Sequence, residues 1–596
     1  MKFVSEVSRT HYCGNLNLTH AGKDVVLMGW VDTRRDHGGL VFVDLRDREG
    51  IVQVVLNPAS TGTASSKDFR GEFVVAIRGK VNKRPDGMTN KKMKTGEIEV
   101  VAETCEILSK AETPPFGITD TDVNENLRLQ YRYLDLRSPR LQNFMRVRHD
   151  VMQTVREFLA KEGFWEIETP ILYKSTPEGA RDYLVPSRVH PGSFYALPQS
   201  PQTLKQLLMV SGMDKYFQIA RCFRDEDLRA DRQPEFSQID CEMSFINQED
   251  VMQVNERLVR HVWKKVKGIE IEKIHRMTFD EAMDRFGNDK PDIRFGLELK
   301  NLADKVKGSG FKVFDDTIAN GHAVKGFACP EGGEFSRGQL DKLTEIAKKA
   351  GAKGLVWIKS EAGGKVSSPI SKFFSEEKLM DLVVACGGKK GDCALIVADE
   401  YEVTSKALST LRLHLGEELK LIDKSKDVFL WVYDFPLFEY DPEAKRWMAR
   451  HHPFTMAKYE HIDIMLAGDT KRYGEVKAQA YDLVCNGYEV LGGSIRIYRQ
   501  DVQAAMFAAL GLSEEEVKHR FGFFINALKF GTPPHGGFAW GLDRLVMILC
   551  QTDAIREVIA FPKTLKASDM MSEAPTTVDR AQLLELGIRL AQKDKE

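Results

Sequence analysis

Cys222-Phe223-Arg224-Asp225-Glu226, followed by Arg232-Gln233-Pro234-Glu235-Phe236 and then Asp240, is the densest chemistry-bearing stretch of the chain. Arginines, carboxylates and one aromatic ring alternate with apolar residues. Two strands joined by a loop would bring Arg224 beside Phe236. A guanidinium can neutralise a phosphate through two parallel hydrogen bonds, and an aromatic face can stack an adenine. Taken alone, the same residues would also make a surface ladder of ion pairs.

Other stretches extend this chemistry on both sides. Gly536-Gly537-Phe538-Ala539-Trp540-Gly541-Leu542-Asp543-Arg544-Leu545 is a glycine-rich run that leads Arg544 into an apolar helix. Its spacing is neither G-x-G-x-x-G nor G-x-x-x-x-G-K-[ST], so dinucleotide-fingerprint and P-loop readings fail. Asp482, Glu489, Gly492-Gly493 and Arg496 share strand-like runs. The two acids suit Mg²⁺ held between phosphate oxygens, because Mg²⁺ takes one or two carboxylates plus phosphates. Gln202 and Lys205 are three apart, on one helix face. His451-His452-Pro453-Phe454 suggests metal at first sight. On a strand, however, adjacent side chains point to opposite faces, and polar substrate contact is the better reading.

The whole chain sets the limits. Its 596 residues make roughly four domains at about 150 residues each. It is 42% hydrophobic and 29% charged, with net charge −2, values of a soluble globular protein. No apolar run reaches the ~18 residues that would span a bilayer, and the opening Met1-Lys2-Phe3-Val4-Ser5-Glu6 lacks an apolar leader segment. Nine cysteines without a C-x-x-C argue against a disulfide framework or a structural zinc, and for a reducing cytoplasm.

Residues 25–31, 40–45, 51–56, 73–81 and 97–107 are rich in Val, Ile and Phe and punctuated by Gly, Asp and Asn. Five strands in this span suit a small barrel such as an OB-fold, although periodicity alone also allows a sandwich. Arg34, Arg35, Arg46 and Arg48 cluster there. Residues 109–139 read as a linker broken by Pro114-Pro115, and residues 141–162 as an amphipathic helix stopped by Gly163. The segment 286–425 turns rich in Lys and Gly, with helical runs near 338–350 and 401–414, and reads as an insertion. The expected organisation is therefore a barrel at 1–108, a hinge at 109–139, a core domain split into 140–285 and 426–564 around the 286–425 insertion, and an extension at 565–596.

Together these blocks resemble the class II aminoacyl-tRNA synthetases, and within them the bacterial aspartyl-tRNA synthetases. Residues 163–172 with Pro170 resemble motif 1, residues 223–240 motif 2, and residues 536–545 motif 3. Tyr131-Arg132-Tyr133-Leu134-Asp135-Leu136-Arg137, Thr176-Pro177-Glu178-Gly179-Ala180, Gln199-Ser200-Pro201-Gln202 and His451-His452-Pro453-Phe454 resemble blocks of the aspartyl members. The likeness spans nearly the whole chain. Leu491 before Gly492-Gly493 and Arg450 before the histidine pair depart from the pattern without removing a catalytic group.

The resemblance implies an α+β multidomain fold: an N-terminal OB-fold barrel, an antiparallel class II catalytic sheet flanked by helices, and an inserted α/β domain. It implies aspartate activation by ATP, with Mg²⁺, to aspartyl-adenylate and transfer to the 3′ end of tRNA. Both reactants of the first step are anions, so the site must cancel charge and align them rather than supply a nucleophile. By the family pattern Arg224 would touch the α-phosphate and aspartate, and Arg544 the γ-phosphate; these two are the catalytic pair. Phe236 would stack adenine. Asp225, Glu226, Gln233, Gly541, Leu542 and Asp543 would complete the ATP site, with Asp482 and Glu489 on Mg²⁺. Lys205 and Arg496 would read the aspartate side-chain carboxylate. Glu178, Gln202 and Asp240 would take its ammonium side, and His451 would close over it. The Glu178–Gly179 loop resembles a lid.

On the barrel, Phe42 would stack an anticodon base, Gln53 and Glu99 would meet base edges, and Arg34 would add base or phosphate contacts. His37 and Gly87 resemble the members that charge both tRNA-Asp and tRNA-Asn, a use that implies a downstream amidotransferase. A C2 homodimer through motif 1 and no membrane partner are also implied. An asparaginyl or lysyl enzyme is disfavoured by the insertion and by the Lys205/Arg496 pair, and an ammonia-dependent asparagine synthetase by the barrel. A non-catalytic RNA-binding relative would be expected to lose Arg224, Glu489 or Arg544, and all three are present.

Overall fold

The structure is a computed structural model describing residues 3–176 and 180–591. The chain folds as two units, residues 1–149 with 556–577, and residues 150–555 with 578–596.

In the first unit, β1 (Asp24–His37), β2 (Leu40–Asp47), β3 (Gly50–Leu56), β4 (Val74–Lys83) and β5 (Ile98–Ser109) close a barrel in the order β1-β2-β3-β5-β4. Only the β3–β5 pairing is parallel. Closure removes the sheet edges that an open five-stranded sheet would expose. The sandwich alternative is thereby excluded. Leu27, Val31, Val43, Leu45, Val54, Ile77 and Val100 fill the interior. Between Val31 and Thr33 a bulge shifts the β1–β2 register, which reverses the faces of every later β1 side chain.

The Tyr131–Arg137 block serves this unit structurally. Arg132 is buried and donates to Asp135 at 2.6 Å and to the carbonyls of Arg556, Ile559 and Ala560 at 2.9–3.0 Å. Arg128 joins Asp135 to Glu557. The motif thus tethers the 556–560 segment to the hinge residues.

The helix Pro139–Lys161 crosses the boundary between the units, and Gly163 (φ +86°) follows it. In the second unit, β6 (Trp165–Glu166) precedes a small hairpin of β7 (Leu184–Pro186) and β8 (Phe194–Ala196). Then come β9 (Lys215–Phe223), β10 (Glu235–Ser244) and β11 (Ile274–Thr278). The segment from 300 to 399 holds a separate five-stranded sheet: β12 (Lys300–Asn301), β13 (Ala323–Cys329), β14 (Val356–Ser360), β15 (Val366–Ser367) and β16 (Cys393–Asp399). Its order is β12-β13-β16-β14-β15 and every pairing is antiparallel. Helices Arg337–Lys349 and Tyr401–Glu418 pack on one of its two cores, and Glu376–Ala385 on the other.

Strands β17 (Phe429–Tyr433), β18 (Phe438–Asp441), β19 (Arg446–Ala449), β20 (Ala480–Cys485), β21 (Tyr488–Ile495) and β22 (His535–Gly541) complete the unit. The main sheet has eight strands in the order β11-β17-β20-β21-β22-β10-β9-β6. It is antiparallel through its six central strands, with a parallel partner at each edge. The helix Gln248–Lys267, capped by Asn247 and stopped by Gly268 in a left-handed conformation, is fixed by Trp540 Nε1–H donating to Asn255 Oδ1 at 2.8 Å.

Replacing Arg132 by Met removes the only described side-chain donor to three carbonyls of the 556–560 segment and leaves Asp135 with one arginine. We expect a loss of about 3 kcal/mol and faster amide hydrogen exchange at 556–560, read by mass spectrometry. Unchanged exchange there would show that the tether carries no stability.

Candidate functional site

Alternation along β10 builds the site. Phe236, Gln238, Asp240 and Glu242 are two residues apart and share one face. Opposite Gln238, Asp240 and Glu242, strand β22 places Gly541, Ala539 and Gly537. Beyond these, β21 places Gly492 beside Ala539 and Ser494 beside Gly537. Small residues therefore floor a trough whose polar side chains rise from the strands around it. A Cβ on Gly537 would lie 1.9 Å from Glu242 Oε2, so only glycine leaves room for that carboxylate.

The trough holds two adjoining cavities. One, about 490 Å³, is lined by Gln202, Lys205, Arg224, Asp240, His451, Asp482, Glu489 and Arg496 among others. The other, about 190 Å³, is lined by Arg224, Glu226, Gln233, Phe236, Gly541, Asp543 and Arg544 among others. Arg224, Gln238, Glu489 and Ala539 border both.

In the smaller cavity the Arg224 guanidinium lies 5.0 Å from the centre of the Phe236 ring. The strand–loop–strand expectation for this stretch is met by β9 and β10. Among the described residues Arg224 has no carboxylate partner, which leaves its charge for a ligand. Arg544 donates to the Glu489 carbonyl and lies 3.2 Å from Asp231, while its buried Nε has no partner among the described residues. Two expected contacts are absent. Leu542 is fully buried in the helix Leu542–Leu549 and does not line either cavity, because the apolar face of that helix points into the core. Asp225 lies outside both, facing Arg181 at 3.7 Å. Asp543 lines the cavity edge but accepts the Ser237 N–H at 2.8 Å, tying the helix start to β10.

The larger cavity is built on a buried quartet. Arg496 donates through Nε and Nη2 to the two oxygens of Glu242 at 2.9 and 3.1 Å. Lys205 reaches Asp240 at 2.7 Å and Glu242 at 3.3 Å. Two cations and two carboxylates thus cancel. Lys205 and Arg496, expected to read the aspartate carboxylate, therefore do not stand as uncompensated cations. A buried cation without a counter-charge costs several kcal/mol, and Asp240 and Glu242 supply that counter-charge. Burial would raise the Glu242 carboxyl, but Arg496 and Lys205 hold it below the usual carboxylate range. Burial raises Asp240, against the pull of Lys205.

Three buried polar atoms here lack a partner among the described residues: Asp240 Oδ2, Gln202 Nε2 and His451 Nδ1. One acceptor, one donor and one imidazole nitrogen converge on a space suited to a small zwitterion. Glu178 and Gly179 lie outside the described residues.

Asp482 and Glu489 face one another across Gly492, whose added Cβ would sit 3.2 Å from an oxygen of each. A bulge between Leu483 and Val484 turns Glu489 to the Asp482 side. Burial, then Glu489 and Asp289, raise the Asp482 carboxyl well above its ordinary value. This is a site of excess negative charge that a divalent cation would relieve. No group of three or more ligating side chains occurs among the described residues, so the donor set fits a cation that arrives with phosphate oxygens.

The sequence reading missed Glu242 and Asp289, gave Arg450 no role, and named His452 only within its block. Glu242 had a signal, its i+2 spacing from Asp240. Asp289 comes from the start of the 286–425 segment and pairs with Arg450 at 3.4 Å, which no local pattern announces.

On the barrel, Phe42 is half-buried, alternates with the interior residues Val41 and Val43, and is not among the residues that fill the core. It pairs with Arg35 on β1 and Val55 on β3. Gln53 donates to Glu99 at 3.1 Å on the same face. Arg34 is not on that face. It pairs with the interior residue Val43 and reaches Asp36 and the carbonyls of Ser66 and Lys67. The β1 bulge exchanges it with Arg35. His37 is exposed where β1 turns through Gly38-Gly39. Gly87 (φ +84°) sits in a turn closed by Met88 N–H to the Pro85 carbonyl, so its backbone conformation already favours glycine.

Three comparisons bear on this geometry. A family model described as tRNA synthetases class II (D, K and N) matches residues 124–565, and one described as an OB-fold nucleic acid binding domain matches 25–108. A Bacillus licheniformis protein named aspartate–tRNA ligase is 54% identical over 99% of this chain and 100% of its own. A Geotalea uraniireducens protein named aspartate–tRNA(Asp/Asn) ligase is 53% identical over 99% and 100%. Among solved structures, an asparaginyl-tRNA synthetase from Pyrococcus horikoshii complexed with asparaginyl-adenylate has TM-score 0.58 at 20% identity, covering 94% of this chain and 98% of that one. It shows the shared fold.

Burial, then Arg450 and Arg496, push His451 down to about 4. An imidazole depressed on folding contributes stability above its ordinary value near 6.5 and loses it as pH falls. We expect roughly 2 kcal/mol of stability to be lost between pH 6.5 and 4 through this group. In urea titrations at stepped pH, His451→Gln should flatten that part of the profile. An identical profile in the variant would refute the assignment.

Proposed function

The chain belongs to the class II tRNA synthetases of the D, K and N group, and from that premise we propose how its own residues carry out the reaction of an aspartate–tRNA ligase. The observation that carries the reading is the β10 face, where Phe236, Gln238, Asp240 and Glu242 run from the smaller cavity to the charge-balanced one. A nucleotide fits one end and a small zwitterion the other, with Arg224 between them.

ATP lies with its adenine on Phe236. Arg224, on the border of both cavities, holds the α-phosphate against the aspartate carboxylate that attacks it. Neutralising two anions and aligning them is the main task, because their repulsion opposes the approach. Arg544 takes the γ-phosphate, Glu226 and Gln233 contact the nucleotide, and Asp543 holds the start of the Arg544 helix. Asp240 Oδ2 accepts from the substrate ammonium, with Gln202 and Glu178 at the same end and His451 above. Asp482 and Glu489 would hold Mg²⁺, which supplies charge neutralisation at the leaving pyrophosphate. Attack expels pyrophosphate and leaves aspartyl-adenylate. The terminal ribose hydroxyl of tRNA then displaces AMP and keeps the aspartyl group.

The barrel binds the anticodon, with Phe42 stacking a base and Gln53 and Glu99 meeting base edges. Arg35, beside Phe42, takes the place first given to Arg34. The relatives' names divide between aspartate–tRNA ligase and aspartate–tRNA(Asp/Asn) ligase. The exposed polar His37 and the compact Gly87 turn favour the relaxed form, whose aspartyl-tRNA-Asn product would pass to an amidotransferase. The setting is cytoplasmic, a reducing compartment that suits nine cysteines free of disulfides. No described helix is long and apolar enough to cross a membrane. A C2 dimer through motif 1 is supported by the sheet-edge strand β6, with Trp165 63% exposed and Leu172 50% exposed nearby.

The deciding experiment is charging of purified tRNA-Asp and tRNA-Asn transcripts with labelled aspartate. Charging of both is expected; tRNA-Asp alone would refute the relaxed form, and neither would refute the ligase reading. Phe42→Ala should raise KM for tRNA by about 10-fold or more, from a stack worth about 1–3 kcal/mol, and leave tRNA-independent ATP–pyrophosphate exchange unchanged. Arg544→Ala should slow that exchange about 100-fold or more through lost transition-state charge stabilisation. Normal exchange in Arg544→Ala would remove the residue from the mechanism.

A further inference from the structure

Helix Tyr401–Glu418 carries Ser405, Ser409, Arg412 and Gly416 at the spacing of one helix face, and all four meet the segment 287–296. A Cβ on Gly287 (φ +72°) would lie 2.3 Å from the Ser405 carbonyl oxygen. Ser409 Oγ accepts from Asn288 Nδ2 at 2.5 Å. Arg412 donates through Nε to the Gly296 carbonyl at 3.1 Å, and through Nη2 to those of Asp292, Phe295 and Gly296 at 2.8–2.9 Å. Its guanidinium lies 3.9 Å from the centre of the Phe295 ring and 4.8 Å from that of Phe286. A Cβ on Gly416 would stand 2.7 Å from the Phe295 ring. Residues 287–296 are thus a strap laid along one helix.

Arg412 is a costly residue for packing alone. It is fully buried, has no carboxylate partner among the described residues, and keeps one buried nitrogen, Nη1, without a partner among them. A buried cation without a counter-charge costs several kcal/mol. An apolar side chain would fill the space without that penalty, but it could not fix three strap carbonyls.

What the strap delivers is Asp289. Asn288, held by Ser409, also accepts the Lys290 N–H on its Oδ1 at 2.9 Å, which fixes the turn around Asp289. Asp289 lines the larger cavity, 3.4 Å from Arg450, and is close enough to add to the negative charge felt by Asp482. Further along, the strap rests on the β20–β21 turn, where a Cβ on Gly487 would stand 3.3 Å from Asp292 Cβ. That turn is held independently by Asn486. Its Oδ1 accepts the Val428 N–H at 2.9 Å, and its Nδ2 donates to the Lys426 carbonyl at 3.2 Å. Loosening the strap therefore moves Asp289 rather than Glu489.

We propose that Asp289 is a positioning residue for the divalent cation at Asp482 and Glu489, and that the 286–425 segment takes part in the reaction through Arg412, which holds the strap that places Asp289. The proposal rests on the cation placement in the reading above. Mg²⁺ keeps several waters when it binds, and a carboxylate beside its two ligands orients the ion by accepting from such a water. The catalytic sheet supplies the ligands, and the separate five-stranded sheet, through its helix, supplies the group beside them.

The test is Mn²⁺ binding to the full-length protein in the presence of ATP, read by electron paramagnetic resonance with aspartate omitted. We expect Asp289→Asn and Arg412→Ala each to weaken binding about 10-fold. Arg412→Lys should restore most of the loss, because its ammonium donates to the same carbonyls. The double variant should bind no more weakly than Asp289→Asn, since Arg412 acts through Asp289. Leu382→Ala, in the second core of the same segment, should bind normally. Additive losses, or an equal loss in Leu382→Ala, would reduce Arg412 to a structural role and overturn the proposal. Should Arg412→Ala fail to fold, Gly416→Ala displaces the Phe295 ring with the arginine intact and should weaken binding in the same direction; full affinity there would overturn the proposal. Asp482→Asn separates this proposal from the reading beneath it. Unchanged affinity in Asp482→Asn would refute the cation placement itself. Weakened binding there, with full affinity in Asp289→Asn, would overturn the role of the strap alone.

Discussion

The Glu242–Arg496 pair is the constraint on which the larger cavity depends. Both groups are fully buried, so each requires the other: an unpartnered charge at this depth costs several kcal/mol. That requirement propagates outward. Gly537 must be glycine because the Glu242 carboxylate occupies the space of its Cβ. Ser494 must be small and polar because it receives an Arg496 N–H. Lys205 is placed by Asp240 and Glu242 together. A pocket assembled this way is rigid before ligand arrives, and preorganised dipoles need no rearrangement during reaction.

Two bulges do comparable work in the two units. In β21 the extra residue turns Glu489 toward Asp482, joining two carboxylates that strict alternation would set on opposite faces. In β1 it turns Arg35 outward beside Phe42 and Arg34 toward the barrel interior. A bulge costs one ladder position and re-aims a side chain without altering the fold. Each lies beside residues proposed to act on ligand.

These bulges also mark where sequence reading stops. The barrel was legible because Val, Ile and Phe alternate between turns, and the same alternation rightly sets Phe42 apart from Val41 and Val43. It fails at Arg34: extended from Leu27 and Val31, it puts Arg34 outside, and one inserted residue reverses the answer. The β10 row was partly legible. Phe236 and Asp240 stood out, while Glu242, in register with them, looks like an ordinary strand acid. Leu542 and Asp225 were carried along by adjacency to true cavity residues. Asp289 could not have been found, because a loop between two sheets delivers it across a long sequence separation.

The separation of charge between the two cavities has a chemical consequence. In the part of the larger cavity proposed for the zwitterion, Lys205 and Arg496 are matched by Asp240 and Glu242, so recognition depends on which atoms donate and which accept. In the cavity proposed for the nucleotide, Arg224 has no carboxylate partner among the described residues, and Arg544 keeps an unmet N–H. An uncommitted guanidinium at the proposed phosphate site suits a step in which negative charge builds on the departing pyrophosphate. Excess positive charge around the amino acid would instead tighten the ground state of any anion of similar size, which gains neither rate nor discrimination. A charge-matched set of donors beside an uncommitted arginine would therefore divide the labour: one half of the trough is proposed to select, and the other to drive the chemistry.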